Sequence, residues 1–182
     1  MFRPPLPMRD ALWVLAGIFA AIAGFTDWRW RRIPNWLTVP GLVLGIAANT
    51  ATDSWAGAKI SLLGAGLGLV LLLPLVMVRS LGAGDWKLTG ALGAFLGPQR
   101  LIAVLLCTIL VAGVMALVLV VTKKRVRQTV RNIWLMLVAL VRFHMPARDV
   151  SLDNPESLKV PFGVAMAVTM IALAVGHMAR IG

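Results

Sequence analysis

Two apolar runs meet at Gly82-Ala83-Gly84-Asp85-Trp86-Lys87, where a long hydrophobic segment stops and a shorter one begins. An ionisable residue at the edge of a membrane-spanning segment is costly, and it therefore marks a candidate functional site. Because Gly82 and Gly84 have no Cβ, they are expected to permit a sharp turn, with positive φ at Gly84, and the close approach of another chain. A second acid, Asp27, directly follows the first apolar run. The two acids are therefore a candidate pair.

The composition is that of an integral membrane protein. Of 182 residues, 59% are hydrophobic, and the mean hydropathy is +0.87. Several apolar runs approach the roughly 20 residues that a spanning helix needs, and about six such helices would use about 120 residues. That leaves no room for a soluble domain. We predict an all-α, polytopic membrane protein in which residues 1–182 form a single integral-membrane domain.

The apolar segments predict about six transmembrane helices. They comprise residues 11–26, 36–51, 58–78, 87–96, 101–121 and 160–180. A basic loop is predicted at 27–35, with Pro34 suited to the start of the next helix, and turns are predicted at 52–57 and 97–100. The fourth is only about 15 Å long as a helix, so it is expected to pack inside the bundle. Glycines spaced along the third and fourth segments favour close helix contacts.

Two further segments carry their own predictions. Residues 133–141 are apolar but too short to cross, so they predict an interfacial helix within a basic cytoplasmic loop at 123–159. The first run resembles a signal peptide, with a possible cleavage site at Ala21-Ile22-Ala23. Because Asp27 and a basic loop follow immediately, we expect this run to be retained as a span.

The charge distribution predicts the orientation. The chain has 18 Lys and Arg against 7 Asp and Glu, a net charge of +11. These basic residues lie between the apolar runs, so they are expected to orient the protein and contact anionic lipid headgroups, not nucleic acid. With both termini outside, the cytoplasmic group outnumbers the opposite one: Arg29, Arg31, Arg32, Arg79, Lys87, Lys123, Lys124, Arg125, Arg127, Arg131, Arg142, Arg148 and Lys159 against Arg3, Arg9, Lys59, Arg100 and Arg180. Both candidate acids then lie at the cytoplasmic face.

Paired carboxyl groups suit hydrolysis without a metal ion. Two carboxylates at close range do not both ionise easily, so the pair holds one proton. One member can then activate water while the other protonates or polarises a peptide carbonyl. Other chemistries have less support. The chain has one cysteine, Cys107, and its two histidines, His144 and His177, are far apart, so no metal site is expected.

A purely structural interpretation stands beside the catalytic one on spacing alone. Asp85 could be the N-cap of the fourth segment. Asp27 could end a span and pair with Arg29 or Arg31, since ion pairs within membranes also occur in transporters.

Two motifs, in this order, resemble the paired signature of the type IV prepilin leader peptidases: Asp27-x-Arg29-x-x-Arg32-Ile33-Pro34-Asn35 and Gly82-x-Gly84-Asp85-x-Lys87. These are bacterial inner-membrane aspartic proteases, and Pro161-Phe162-Gly163 at the last span also fits their pattern. The resemblance extends from Asp27 to that span. It implies that Asp27 and Asp85 are the catalytic pair and that Gly82 and Gly84 admit the substrate backbone. It further implies that the site is shaped by Lys87, Arg32, Pro34 and Asn35.

The resemblance also implies a substrate and a location. Prepilin or pseudopilin precursors would lose a short basic leader at the cytoplasmic face of the inner membrane. Larger members carry a cytoplasmic insert with paired cysteines and N-methylate the product with S-adenosylmethionine. This chain has neither the insert nor the cysteines, so it resembles the short members that serve Flp, or tight-adherence, pili. No cofactor is expected for cleavage, and methylation stays open.

Two alternatives follow from the same residues. The GxGD pattern also occurs in presenilin-like intramembrane proteases, but their Tyr-Asp and Pro-Ala-Leu motifs are missing from this sequence. The non-enzymatic alternative is a small membrane transporter or pilus-assembly subunit in which the acids form ion pairs or bind a cation. Such a protein is expected to have broken helices that meet at the middle of the membrane.

Overall fold

The computed structural model of the protein is a bundle of α-helices, without strands in the ranges that it describes: 6–77, 81–123, 131, 134, 138 and 161–179. The helices are α1 (Leu6–Trp30), α2 (Asn35–Met77), α3 (Ala83–Thr122) and α4 (Phe162–Met178). Three of them, α1 to α3, are long and apolar enough to span a membrane, and α4 is a shorter apolar helix. The prediction of an all-α membrane protein is therefore confirmed.

The predicted loop at 123–159 and its interfacial helix at 133–141 lie outside the described residues, apart from Lys123 and three isolated helical positions at 131, 134 and 138.

The long helix α2 is a hairpin. Its helical torsions fail at Asp53 (φ −136°) and Ser54 (φ 49°), inside the turn that the sequence predicts at 52–57. Gly45 from the first half and Gly64 from the second half both pack against neighbouring residues of α3, at Ala94 and Gly93. Because both halves reach the same level of α3, the chain must reverse direction at this break.

The helix α3 reverses in the same way at Gly97, whose φ of 73° favours glycine, just before Pro98. Thr89 before the break and Leu101 after it both lie against Gly68 of α2. The first half, 83–96, is about 21 Å long, and residues 88–97 are all buried. The short fourth segment therefore packs inside the bundle, as predicted, although its helix begins at Ala83 and not at Lys87.

The halves of α2 also replace the hydrogen bonds that the break in α3 removes. Pro98 has no N–H, so the carbonyl of Ala94 lacks its usual helical donor. Ser61 Oγ donates a hydrogen bond to Ala94 O at 2.6 Å, and Asn49 Nδ2 donates to Ala94 O at 2.8 Å and to Phe95 O at 3.0 Å. Within an apolar bundle these bonds satisfy groups that water does not reach.

The helices α1 and α4 run antiparallel and fix the two ends of the bundle. At one end, which we call the motif end, Asp27 of α1 lies against Gly163 of α4. At the opposite end, His177 Nε2 lies 3.0 Å from Asp10 Oδ1, and the rings of His177 and Trp13 stack at 5.3 Å. Both hairpin breaks belong to this opposite end, so α1 ends and α2, α3 and α4 all begin at the motif end.

The contact between α2 and α3 predicts a stability difference between two glycine substitutions. A Cβ on Gly93 would collide with the backbone of Gly64, whereas a Cβ on Gly66 would meet nothing within 4 Å. Both changes gain the same helix propensity. We expect Gly93→Ala to unfold more easily than Gly66→Ala by about 1–3 kcal/mol, the cost of overpacking. Thermal unfolding of both variants in detergent measures this difference, and equal melting temperatures would contradict the backbone contact.

Candidate active site

The end of α1 places Asp27 within a helix. The helix continues to Trp30, so the predicted loop at 27–35 is wrong and Asp27 lies in the last helical turn. The Arg31 N–H donates a hydrogen bond to the Asp27 carbonyl at 2.8 Å, and Arg31 then leaves the helix with a φ of 53°. The Asp27 backbone is part of the helix, so the position of its Cα at the motif end is fixed by α1.

The start of α3 places Asp85 in the first turn of that helix. The N-cap is Gly82, at φ −69° and ψ 142°, so the alternative in which Asp85 is the N-cap is wrong. Asp85 instead occupies the third helical position, from which its carboxyl group reaches back to the backbone N–H of Gly82. This is the geometry of an acid in a capping box. Its own carbonyl accepts a hydrogen bond from Thr89 Oγ1 at 2.9 Å.

The glycines of this motif act through close packing and not through unusual torsions. Gly97 is the one glycine with positive φ among the described residues, so the predicted positive φ at Gly84 is wrong. A Cβ on Gly84 would lie 3.2 Å from both Cβ and O of Ile33. Gly82 faces Asp85, whose Oδ2 would be 3.1 Å from a Cβ on Gly82. Both glycines therefore make room for neighbouring groups of the site itself.

Ile33 joins the separate parts of the motif end. It is 8% exposed, and its backbone lies against Gly84 while its Cδ1 would be 3.0 Å from a Cβ on Gly163. The connection between α1 and α2 is thus held between the first turns of α3 and α4. Three segments that are distant in sequence meet at this one side chain.

The two acids lie close together beside Ile33. Asp27 is 7% exposed and Asp85 is half-buried, and their charges are near enough to repel each other. The Asp27 carboxyl faces the first turn of α4: a Cβ on Gly163 would lie 3.0 Å from Asp27 Oδ2. Two carboxyl groups in such surroundings share one proton more readily than they carry two charges. The arrangement therefore suits chemistry that needs one acid and one base.

The other predicted site residues have different surroundings. Lys87 Nζ donates a hydrogen bond to Asn35 Oδ1 at 2.9 Å and so ties α3 to the start of α2. The Pro34 carbonyl accepts hydrogen bonds from the first turn of α2, so Pro34 lies one residue before the helix whose start it was predicted to form. Arg32 is exposed, and within the described ranges it makes no ion pair with either acid.

The first turn of α4 received no role from the sequence alone. The backbone N–H groups of Gly163 and Val164 approach the Asp27 carboxyl, and the charge of Arg31 attracts it. The available signal was Pro161-Phe162-Gly163 at the start of an apolar run, which fits the family pattern. That signal shows where a helix begins, but not which acid its first turn will face.

Other candidate chemistries find no counterpart in the part of the chain that the structure describes. There, no group of three or more His, Cys, Asp or Glu residues could hold a metal ion. Ser61 uses its hydroxyl to bond the Ala94 carbonyl, and His177 lies with Asp10 at the opposite end. His144 lies outside the described residues.

Fold and site together define a class: helical membrane proteins that hold two carboxyl groups from different helices at one end of the bundle. The sequence profile of the type IV leader peptidase family matches residues 14–117, which include Asp27 and Asp85. The chain belongs to this family, and the resemblance seen in its motifs is confirmed at that level.

Curated relatives carry a corresponding description. The chain is 32% identical over 123 residues to a prepilin leader peptidase/N-methyltransferase of Xanthomonas campestris pv. campestris, a match that covers 64% of this chain and 42% of that protein. It is 34% identical over 108 residues to a protein of the same description from Dickeya chrysanthemi, covering 56% and 37%. The chain thus aligns with about two fifths of the length of these relatives. No solved structure matches it.

The packing of Ile33 against Gly84 predicts a specific cross-link. The Cβ of Ile33 and a Cβ on Gly84 would lie 3.2 Å apart, close to the roughly 3.5–4.5 Å of a disulfide. With Cys107 replaced by serine, we expect Ile33→Cys/Gly84→Cys to oxidise to an internal disulfide in detergent. The control is Ile33→Cys/Gly66→Cys, because Gly66 has open space around it. Mass spectrometry after mild oxidation detects the bond, and equal yields in both pairs would rule out the proposed contact.

Proposed function

We propose that this protein is a membrane aspartic endopeptidase that removes the short leader from type IV prepilins or pseudopilins. The observation that carries the proposal is the meeting of Asp27 and Asp85, from two helices, at one end of an apolar bundle. Membership of the type IV leader peptidase family supports it, as do the descriptions of the two curated relatives. Both acids belong to the segment that the family profile matches.

The pair can hydrolyse a peptide bond without an added nucleophile. The ionised carboxylate takes a proton from water, whose oxygen then attacks the peptide carbonyl carbon, while the protonated carboxyl gives its proton to the carbonyl oxygen. The tetrahedral intermediate collapses when its C–N bond breaks. The carboxyl that took the proton from water gives it to the leaving nitrogen, and the other carboxylate regains a proton from a hydroxyl of the intermediate. The carbonyl of the leader thereby becomes a carboxylic acid. Both catalytic groups end the cycle in their starting protonation states.

The charges and aromatic side chains at the motif end support a cytoplasmic active site. Arg29, Arg31 and Arg32 lie there, and Trp28 and Trp30 are exposed beside them. Exposed tryptophans favour a membrane interface, and basic residues favour the cytoplasmic side and anionic headgroups. We propose an inner-membrane location with this end in the cytoplasm and both termini outside. The basic residues then contact lipid and not nucleic acid.

The cysteine content favours the short form of the family. The sequence has one cysteine, Cys107, and lacks the paired cysteines and the insert that carries them in the larger members. We propose that it serves Flp-type pili and cleaves without a metal ion or S-adenosylmethionine. N-methylation is not part of the proposed activity.

The positions of the helix breaks argue against a transporter or assembly subunit. That alternative expects broken helices that meet at the middle of the membrane. Here the breaks at Asp53, Ser54 and Gly97 are hairpin turns at the opposite end from Asp27 and Asp85. The acids are instead grouped where intact helices begin or end.

Replacing either acid tests the catalytic pair. We expect Asp27→Asn and Asp85→Asn each to reduce cleavage of a prepilin by at least about 10³-fold, because one carboxylate and one carboxylic acid are both needed. Asp53→Asn is the matched control, since Asp53 lies at the opposite end. Cleavage is followed by the mobility shift of a prepilin in detergent or liposomes. Substantial turnover by either site variant, with Asp53→Asn active and all three proteins folded, would disprove the pairing.

Metal and cofactor removal tests the rest of the proposal. The two acids can activate water by themselves, so we expect full cleavage in the presence of a strong chelator and without S-adenosylmethionine. The assay compares initial rates before and after dialysis against chelator, with an added metal series as the control. A rate lost on chelation and restored by one particular metal would show that the mechanism needs that ion.

A further inference from the structure

The position of the Asp27 carboxyl is unfavourable for a negative charge, because of the helix to which Asp27 belongs. It lies in the last turn of α1, where the exposed carbonyls give the helix end a partial negative charge. The side chain is more than nine-tenths buried, and its Oδ2 has no hydrogen-bond partner among the described residues. A carboxylate there needs stabilisation from another element.

The first turn of α4 supplies that stabilisation. This helix has 17 residues, long enough for its N-terminus to carry a partial positive charge. The N–H groups of Gly163 and Val164 approach the Asp27 carboxyl, whereas the backbone donor to Asp85 is Gly82, the N-cap residue just before α3. Gly163 permits this approach, because a Cβ there would lie only 3.0 Å from both Cβ and Oδ2 of Asp27.

We infer that the first turn of α4 is a positioning element that keeps Asp27 ionised, so that Asp27 takes the proton from water and Asp85 donates its proton to the peptide carbonyl. This inference rests on the proposed peptidase activity and assigns different roles to the two acids. Gly163 and Val164 act through Asp27 and do not contact the substrate in this role.

The other charged groups around Asp27 are consistent with this assignment. From α3 the neighbouring charge is Asp85, which disfavours a second negative charge at the pair. From the connection after α1, Arg31 attracts the Asp27 carboxylate. The first turn of α4 has no acidic side chain, so it acts through its backbone. One of the two acids must hold the shared proton, and in this assignment it is Asp85, which has fewer stabilising neighbours in its ionised form.

The Val164 N–H can be removed without loss of a helical hydrogen bond. The N–H of Ala165 is the first in α4 that donates within the helix, to Pro161 O at 3.2 Å. The Val164 N–H precedes it and has no acceptor in α4, and proline is tolerated in a first helical turn. Val164→Pro therefore deletes one donor to Asp27, whereas Val164→Ala shortens the side chain and keeps the donor.

The experiment compares kcat, KM and the pH profile of prepilin cleavage by the full-length protein in detergent. For Val164→Pro we expect kcat to fall about tenfold to a hundredfold, the effect of one hydrogen bond to a charged group. KM should be unchanged, and the acidic limb of the kcat profile should move to higher pH because the ionised form has lost a donor. Val164→Ala should lose far less activity, and the acidic limb of its kcat profile should stay at the pH seen for the wild type.

A second pair of variants tests the same turn by another route. Gly163→Ala should displace the turn from Asp27 and move the acidic limb in the same direction as Val164→Pro. Gly176→Ala is the matched control, because a Cβ there meets nothing within 4 Å, and it should behave as wild type. If Val164→Pro does not fold, as judged by its melting temperature, this pair decides the question.

The outcomes separate this inference from the proposed function. Wild-type cleavage with an unmoved acidic limb in folded Val164→Pro and Gly163→Ala would overturn the role of α4 while the peptidase activity stands. An equal loss in Val164→Ala would also overturn it, because the side chain and not the N–H would then matter. Absence of cleavage by the wild-type protein would remove the proposed function and this assignment with it.

Discussion

The close contact between the backbones of Gly64 and Gly93 is the constraint on which the bundle depends. Without side chains between them, the second half of α2 and the first half of α3 approach to backbone distance. A short helix can therefore be surrounded by protein along almost its whole length. Ser61 and Asn49 then donate hydrogen bonds to the carbonyl of Ala94, just before Gly97. They hold the end of that helix that lies opposite the motif end. Because the helix is fixed at that end, the position of Asp85 along the bundle axis at the motif end is fixed as well.

Much of the fold follows from the sequence, because hydropathy and turn residues act locally. The apolar runs and the glycine spacing predicted the helical segments, the reversals near 52–57 and 97–100, and the burial of the short segment before Gly97. The end of α1 could not be predicted in this way. Residues 27–30 are polar or aromatic and resemble a loop, yet they stay helical until Arg31, after which Ile33 packs between α3 and α4. That boundary depends on tertiary contacts that no local pattern contains.

The residues of the proposed site could be chosen from the sequence, but their geometry could not. Two short motifs identified both acids and the glycines beside Asp85. The expectation of positive φ at Gly84 was wrong. A glycine can be needed either for a positive φ or for the close approach of another group, and only the residues packed around it show which of the two applies. It also gave no role to the first turn of α4, which lies far along the chain and beyond the residues 14–117 that the family profile matches. Electrostatic partners of this kind arise from the packing of helices and have no signature in sequence spacing.

The short first half of α3 makes the thickness of the lipid bilayer part of the site. At 1.5 Å per residue this half is about 21 Å long, whereas α1 is about 37 Å long and a typical hydrocarbon layer is about 30 Å thick. If the turn at Gly97 lies near one surface of the membrane, the end of this half that carries Asp85 does not reach the other surface. Water must then reach the carboxyl groups through a local depression in the lipid, as hydrophobic mismatch produces. A thicker, more ordered membrane would set the same acids deeper below its surface, and a thinner one would bring them closer to water.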